Sequence, residues 1–123
     1  MKTATIMVVD DDRSMREGAA GALRAAGYEV LEAGSGSSAL ALLADHTGKL
    51  DLLLTDVQMQ NMSGGELAES VQADHPDVRV LFMSGYTSGA ALHDSVREDG
   101  VAFIAKPFVS ETLLKKVRAL LKG

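Results

Sequence analysis

The chain contains no cysteine, which excludes disulfides, thiolate metal sites and thiol nucleophiles. No stretch approaches the ~20 apolar residues that span a bilayer, so no membrane partner is expected. The opening MKTATIMVVDDD runs into acid after a short apolar stretch and does not read as a signal peptide. A surplus of positive charge is also lacking. Lys and Arg number 12 against 17 Asp and Glu, for a net charge of −5, which argues against nucleic acid or an anionic lipid surface as a direct partner. The expected location is therefore cytoplasmic. There is no internal repeat and no low-complexity tract. GSGSS (34–38) is too short for a linker and lies between a strand and a helix.

What is present is an alternation. Apolar runs of strand length cover ATIMVVD (4–10), YEVLEA (28–33), LDLLLTD (50–56), VRVLFMS (78–84) and VAFIA (101–105). Segments with helical spacing lie between them. In the first, Met15, Ala19, Ala22, Leu23 and Ala26 share one helix face. Ser14 and Glu17 have capping-box spacing, Asp11 or Asp12 are alternative caps, and Gly27 suits a helix end. Ala39, Leu42 and Leu43 mark a second helix closing near Gly48. Leu67 and Val71 mark a third, which ends before Pro76. The segment 88–97 is expected as a fourth, on modest apolar content. Ser110 is expected to cap a fifth, carrying Leu113, Leu114, Val117, Leu120 and Leu121. At 123 residues this makes one α/β domain, with a parallel sheet covered by helices on both faces. Met7 and Met83 read as core. His46, His75 and His93 read as dispersed surface residues without ligand spacing.

In an open parallel sheet, ligands bind beyond the carboxyl ends of the strands. The first run ends in Asp10 followed by Asp11, the third in Asp56, the fourth in Ser84, and the fifth leads into Lys106–Pro107. Three carboxylates, a hydroxyl and an ammonium from four strands thus converge on one edge. A cap accounts for Asp11 or Asp12, but not for Asp56, Ser84 and Lys106. Clustered carboxylates repel one another, and a hard divalent cation removes that penalty. With oxygen donors and no imidazole nearby, Mg²⁺ fits better than zinc. Such a set suits phosphoryl transfer, which rests on positioning and charge neutralisation. A carboxylate is a competent nucleophile because it is already ionised at neutral pH.

VVDDD, LLLTDVQMQNMSGGEL, LFMSGYT and FIAKPF, in this order and spacing, resemble the receiver domains of two-component response regulators over essentially the whole chain. The resemblance implies a flavodoxin-like (βα)₅ fold with strand order 2-1-3-4-5. Residues 1–123 then form one receiver domain with no output domain in this stretch. Asp56 is implied as acceptor of a phosphoryl group from a phosphohistidine on a histidine kinase or histidine phosphotransfer protein. Mg²⁺ is implied to be bound by the carboxylates of Asp11 and Asp56 and by the backbone carbonyl of Gln58, with Asp10 acting through water. Lys106, next to a cis Pro107, pairs with Asp56 and later with a phosphoryl oxygen. Ser84 moves to the phosphoryl group, and Phe103 takes the place of the switch aromatic. Gly64 matches the glycine of the loop after the acceptor. The expected output is a changed partner surface built from the fourth helix (88–97), the fifth strand and the fifth helix. The protein is expected to catalyse only its own phosphorylation and dephosphorylation, so it is not an enzyme in the usual sense.

Two positions depart from the family pattern: Gln60 stands where proline is frequent, and Phe103 lacks a tyrosine hydroxyl. A receiver that has lost its chemistry is disfavoured by the intact Asp, Asp, Ser and Lys set. A phosphohydrolase of the haloacid dehalogenase type needs an acid/base aspartate two residues after the nucleophile, where this chain has Gln58. A flavin module would want phosphate-binding donors after the first strand, where this chain has DDDRS.

Overall fold

The computed structural model describes residues 3–84 and 102–122. Five strands, β1 (Thr5–Val9), β2 (Glu29–Ala33), β3 (Leu52–Asp56), β4 (Arg79–Ser84) and β5 (Ala102–Ala105), form one parallel sheet in the order β2-β1-β3-β4-β5. Among the described residues, four helices accompany them: α1 (Arg13–Ala25), α2 (Gly36–Asp45), α3 (Gly64–Asp74) and α4 (Ser110–Lys122). The strand order is the one the resemblance implies. The helix expected over 88–97 lies outside the described residues.

The central strands carry unbroken apolar runs (6–9, 52–54 and 80–83) because both sheet faces are covered. Side chains alternate between faces with a period of two. Ile6 and Val8 of β1 therefore point one way with Leu52 and Leu54 of β3, and pack on Leu23 of α1 and on Leu113 and Val117 of α4. Met7, Val9 and Leu53 point the other way, onto Ala39 and Leu43 of α2 and Leu67 and Val71 of α3. Each such large side chain contributes roughly 1.5–3 kcal/mol on burial. Met7 and Met83 are fully buried, as expected.

The helix ends follow local chemistry. Asp12 caps α1 by accepting from the Met15 N–H at 3.2 Å. The Ser14–Glu17 box does not form, because Ser14 already lies inside the helix and Glu17 pairs with Arg13 at 2.9 Å. Gly27, with φ of 99°, supplies the left-handed residue that ends the helix. The face of α1 is rotated slightly from expectation: Ala19, Ala20 and Leu23 are buried, whereas Ala26 is exposed. In α3, Ser63 and Glu66 form a complete capping box. Ser110 is the first residue of α4 rather than its cap. The Val109 carbonyl takes the first helical N–H, from Leu113 at 3.2 Å. His46 and His75 are half-buried at the C-terminal caps of α2 and α3, not on open surface; His93 is outside the described residues. Among the described residues, no helix is long and apolar enough to cross a membrane.

Candidate functional site

Strand register assembles the site. Val9 is level with Ala33 on one side and Thr55 on the other. Asp56 is level with Met83, and Ser84 with Ala105. The residues that follow these positions, Asp10, Asp11 and Lys106, therefore emerge on the same edge as Asp56 and Ser84. The Lys106 N–H donates to the Ser84 carbonyl at 2.8 Å, which extends the β4–β5 ladder into the site. The Lys106–Pro107 peptide is cis.

One carboxylate oxygen from each of Asp10, Asp11 and Asp56 lies within 4.8 Å of the others. Asp10 is fully buried, Asp56 half-buried and Asp11 exposed. The Lys106 ammonium donates to Asp10 Oδ2 at 2.8 Å and stands 3.3 Å from Asp56 Oδ2. Among the described residues, Lys106 is thus the cation in direct contact with these carboxylates. Asp10 Oδ1 accepts from the Asp12 N–H at 2.9 Å. Both oxygens of Asp10 are therefore engaged within the protein.

The electrostatics follow from these contacts. Burial pushes the Asp56 carboxyl up; Lys106 pulls it down, while Asp10 and Asp11 push it up again, and the net result lies above the usual aspartate value. Burial works against the Lys106 ammonium, but its hydrogen bond and attraction to Asp10, followed by those to Asp56, hold it above the ordinary lysine value. Both shifts are upward: Lys106 gives its shorter contact to Asp10, which steadies the ammonium but leaves Asp56 undercompensated. The donor set of three close carboxylates, hard oxygen ligands in excess of the local positive charge, fits a small divalent cation.

The other expected residues are more spread out. Ser84 ends β4 and is buried. Gln58 is exposed on the loop that follows Asp56. Phe103 is half-buried within β5, level with Phe82, and packs against the sheet face that carries α2 and α3. Gly64 is buried at the start of α3, and its N–H donates to the Val57 carbonyl at 2.8 Å. A Cβ there would collide with the Asp56 carbonyl oxygen, so only glycine lets the loop close on the strand end.

Two further residues touch the site. Buried Thr55 donates its hydroxyl to the Asp56 carbonyl at 3.0 Å. Arg16 donates from Nη1 to the Asp10 carbonyl at 2.9 Å. A lone arginine on a helix reads as solvated surface. Its signal in the sequence is its spacing, three, four and seven residues before Ala19, Ala20 and Leu23, which puts it on the core-facing stripe.

The response regulator receiver domain family matches residues 6–118. Sensor kinase CckA of Brucella abortus is 33% identical over 98% of this chain, which spans 13% of that protein. The response regulator receiver protein CpdR of the same organism is 33% identical over 94% of this chain and 95% of its own length. The chemotaxis response regulator CheY4 of Vibrio cholerae superposes with a TM-score of 0.83 at 30% identity, covering 97% of this chain and 99% of that one. The chain belongs to the receiver domains of two-component response regulators, modules of phosphorylation-dependent signalling.

Proposed function

We propose that Asp56 is the phosphoacceptor and that the three-carboxylate cluster holds Mg²⁺. The observation that carries this reading is the Lys106 ammonium set between Asp10 and Asp56, 2.8 and 3.3 Å away. Asp11 and Asp56 bind the ion through their carboxylates and Gln58 through its backbone carbonyl. Asp10, whose oxygens are both engaged already, acts through water. Bound there, Mg²⁺ neutralises the carboxylates and the incoming phosphoryl oxygens.

The donor is a phosphohistidine on a histidine kinase or a histidine phosphotransfer protein. An Asp56 carboxylate oxygen attacks phosphorus, an acyl O–P bond forms, and the P–N bond breaks with its electron pair returning to the imidazole nitrogen. Lys106 then pairs with a phosphoryl oxygen. The Ser84 hydroxyl moves to donate to another, and Phe103 turns into the space released. The surface around segment 88–97, β5 and α4 changes accordingly and is read by a downstream protein. Residue 58 is a glutamine, so no second carboxylate stands where a phosphohydrolase keeps its acid/base. The chemistry is confined to the protein's own phosphorylation and dephosphorylation.

A small phosphodonor with Mg²⁺, followed by the mass of the intact protein, tests the reading. Wild type gains one phosphoryl group and Asp56→Asn gains none. An unchanged gain in Asp56→Asn overturns the assignment, and repeated turnover of a phosphomonoester overturns the non-enzymatic reading. Lys106→Ala is expected to pass on the signal poorly, measured as binding of the downstream protein; normal signalling removes its proposed role.

A further inference from the structure

We infer that Arg16 is a positioning residue for the cation site, acting through the peptide that joins Asp10 to Asp11. This rests on the Mg²⁺ reading above and names a residue which that reading does not use. The Arg16 side chain is 19% exposed, an unusual burial for one that carries a strongly hydrated charge. It spends Nη1 on the Asp10 carbonyl at 2.9 Å, while Nε lies 3.6 Å from Glu32 Oε1 on β2. Glu32 is held in turn by Arg24, whose Nη1 donates to Oε2 at 2.7 Å. Arg24 Nη2 donates to the Val30 carbonyl at 3.2 Å. A line of contacts thus runs from the sheet backbone through Arg24, Glu32 and Arg16 to the first peptide of the acidic turn. Gly34 keeps the path open, because a Cβ there would stand 3.2 Å from Arg16 Nη1.

The consequence is geometric. The Asp10 N–H is tied to the Ala33 carbonyl at 3.2 Å, and the Asp10 side chain to Asp12 and Lys106. Arg16 fixes the remaining polar group, the carbonyl, and with it the plane of the Asp10–Asp11 peptide. That plane sets the direction in which the exposed Asp11 carboxylate leaves the backbone. Among the described residues no hydrogen bond holds the Asp11 carboxylate, whereas Asp10 is held at both oxygens, so the aim of Asp11 depends on this peptide. Groups that orient ligands from outside the coordination shell commonly govern affinity by 10-fold or more.

Charge alone predicts the opposite sign. Arg16 is a cation beside a cation site, so removing it would tighten Mg²⁺ binding if only Coulomb forces mattered. The test measures Mg²⁺ dissociation constants of the unphosphorylated protein from amide NMR shifts, together with Mg²⁺-free melting midpoints. Arg16→Met and Arg16→Lys are both expected to weaken Mg²⁺ by about 10-fold, although one loses the charge and the other keeps it. At saturating Mg²⁺, Arg16→Lys should accept a phosphoryl group from a small donor within about twofold of the wild-type rate, since an affinity defect is overcome by concentration. Unchanged or tighter binding in Arg16→Lys overturns the inference. If neither Arg16 variant folds, Glu32→Gln decides: it leaves Arg16 in place but loosens its hold, and unaltered Mg²⁺ affinity there is equally fatal. A wild type that binds no Mg²⁺ overturns the cation site itself, a failure distinct from equality between wild type and variant.

Discussion

Lys106 donates to Asp10 at 2.8 Å and lies farther, 3.3 Å, from Asp56. The lysine therefore serves a buried carboxylate first and leaves the accessible one partly uncompensated, which holds the Asp56 carboxyl above the usual aspartate value. Removing the lysine would strand Asp10, fully buried, without the cation that donates to its carboxylate. Breaking such a pair from one side costs about 3–5 kcal/mol. Lys106→Ala is accordingly expected to lose stability of that order in Mg²⁺-free urea unfolding and to regain part of it when Mg²⁺ is added. A variant as stable as wild type without Mg²⁺ contradicts this.

The raised Asp56 carboxyl makes a pH prediction with a definite sign. The native state holds this proton more tightly than the unfolded chain, whose value is near 3.8. Stability from this group therefore falls as pH rises from there through the folded value, and the penalty is complete above that window. Asp56→Asn should be more stable than wild type at neutral pH by on the order of 1 kcal/mol. The difference should fade below the unfolded value. Thermal melts across pH read it directly, and a destabilised Asn variant at pH 7 would count against the charge argument. Lys106 follows the same sign in a more alkaline window: its stabilisation is complete below 10.5 and is lost as pH rises through its raised folded value.

Mg²⁺ should raise the melting midpoint, because an ion bound only by the native state adds about 2.7 kcal/mol at one hundred times its dissociation constant. Asp12 separates the roles within the acidic run. As the cap of α1, it should cost about 1 kcal/mol when changed to Ala, while the rise with Mg²⁺ stays intact. Loss of the Mg²⁺ effect in Asp12→Ala would make Asp12 part of the ion site.

Two neighbouring glycines should respond in opposite directions. Gly64→Ala drives a methyl into the Asp56 carbonyl and should cost more than about 2 kcal/mol, as overpacking against backbone does. Gly65→Ala meets only Ser63 Oγ at 3.8 Å and should gain up to about 1 kcal/mol from reduced chain entropy. Urea midpoints of the two variants check this, and similar values for both would discredit the close approach at Gly64.

Much of this architecture was legible along the chain because it is periodic. The five apolar runs are strands, the first four trimmed by one or two residues at their ends. Helix caps were less legible: Ser14, Asp11 and Asp12 compete for one helix start, and the winner depends on which residue first turns helical. Arg16 was obscured for a similar reason. Its charge suggests solvent while its spacing puts it on the core-facing stripe, and the contacts with Asp10 and Glu32 show which of the two wins.

Strand and helix alternation, the parallel sheet, and the identity of the residues at the strand ends follow from local pattern alone, since burial periodicity and turn chemistry are properties of neighbouring residues. Which carboxylate Lys106 grips, why Asp56 stays undercompensated, and how Arg16 reaches the Asp10 peptide were decided by tertiary structure. The lysine contact joins residues 96 apart in the chain, the Arg16 contact depends on how α1 packs beside β2, and electrostatic energies in a partly buried site change steeply over fractions of an ångström.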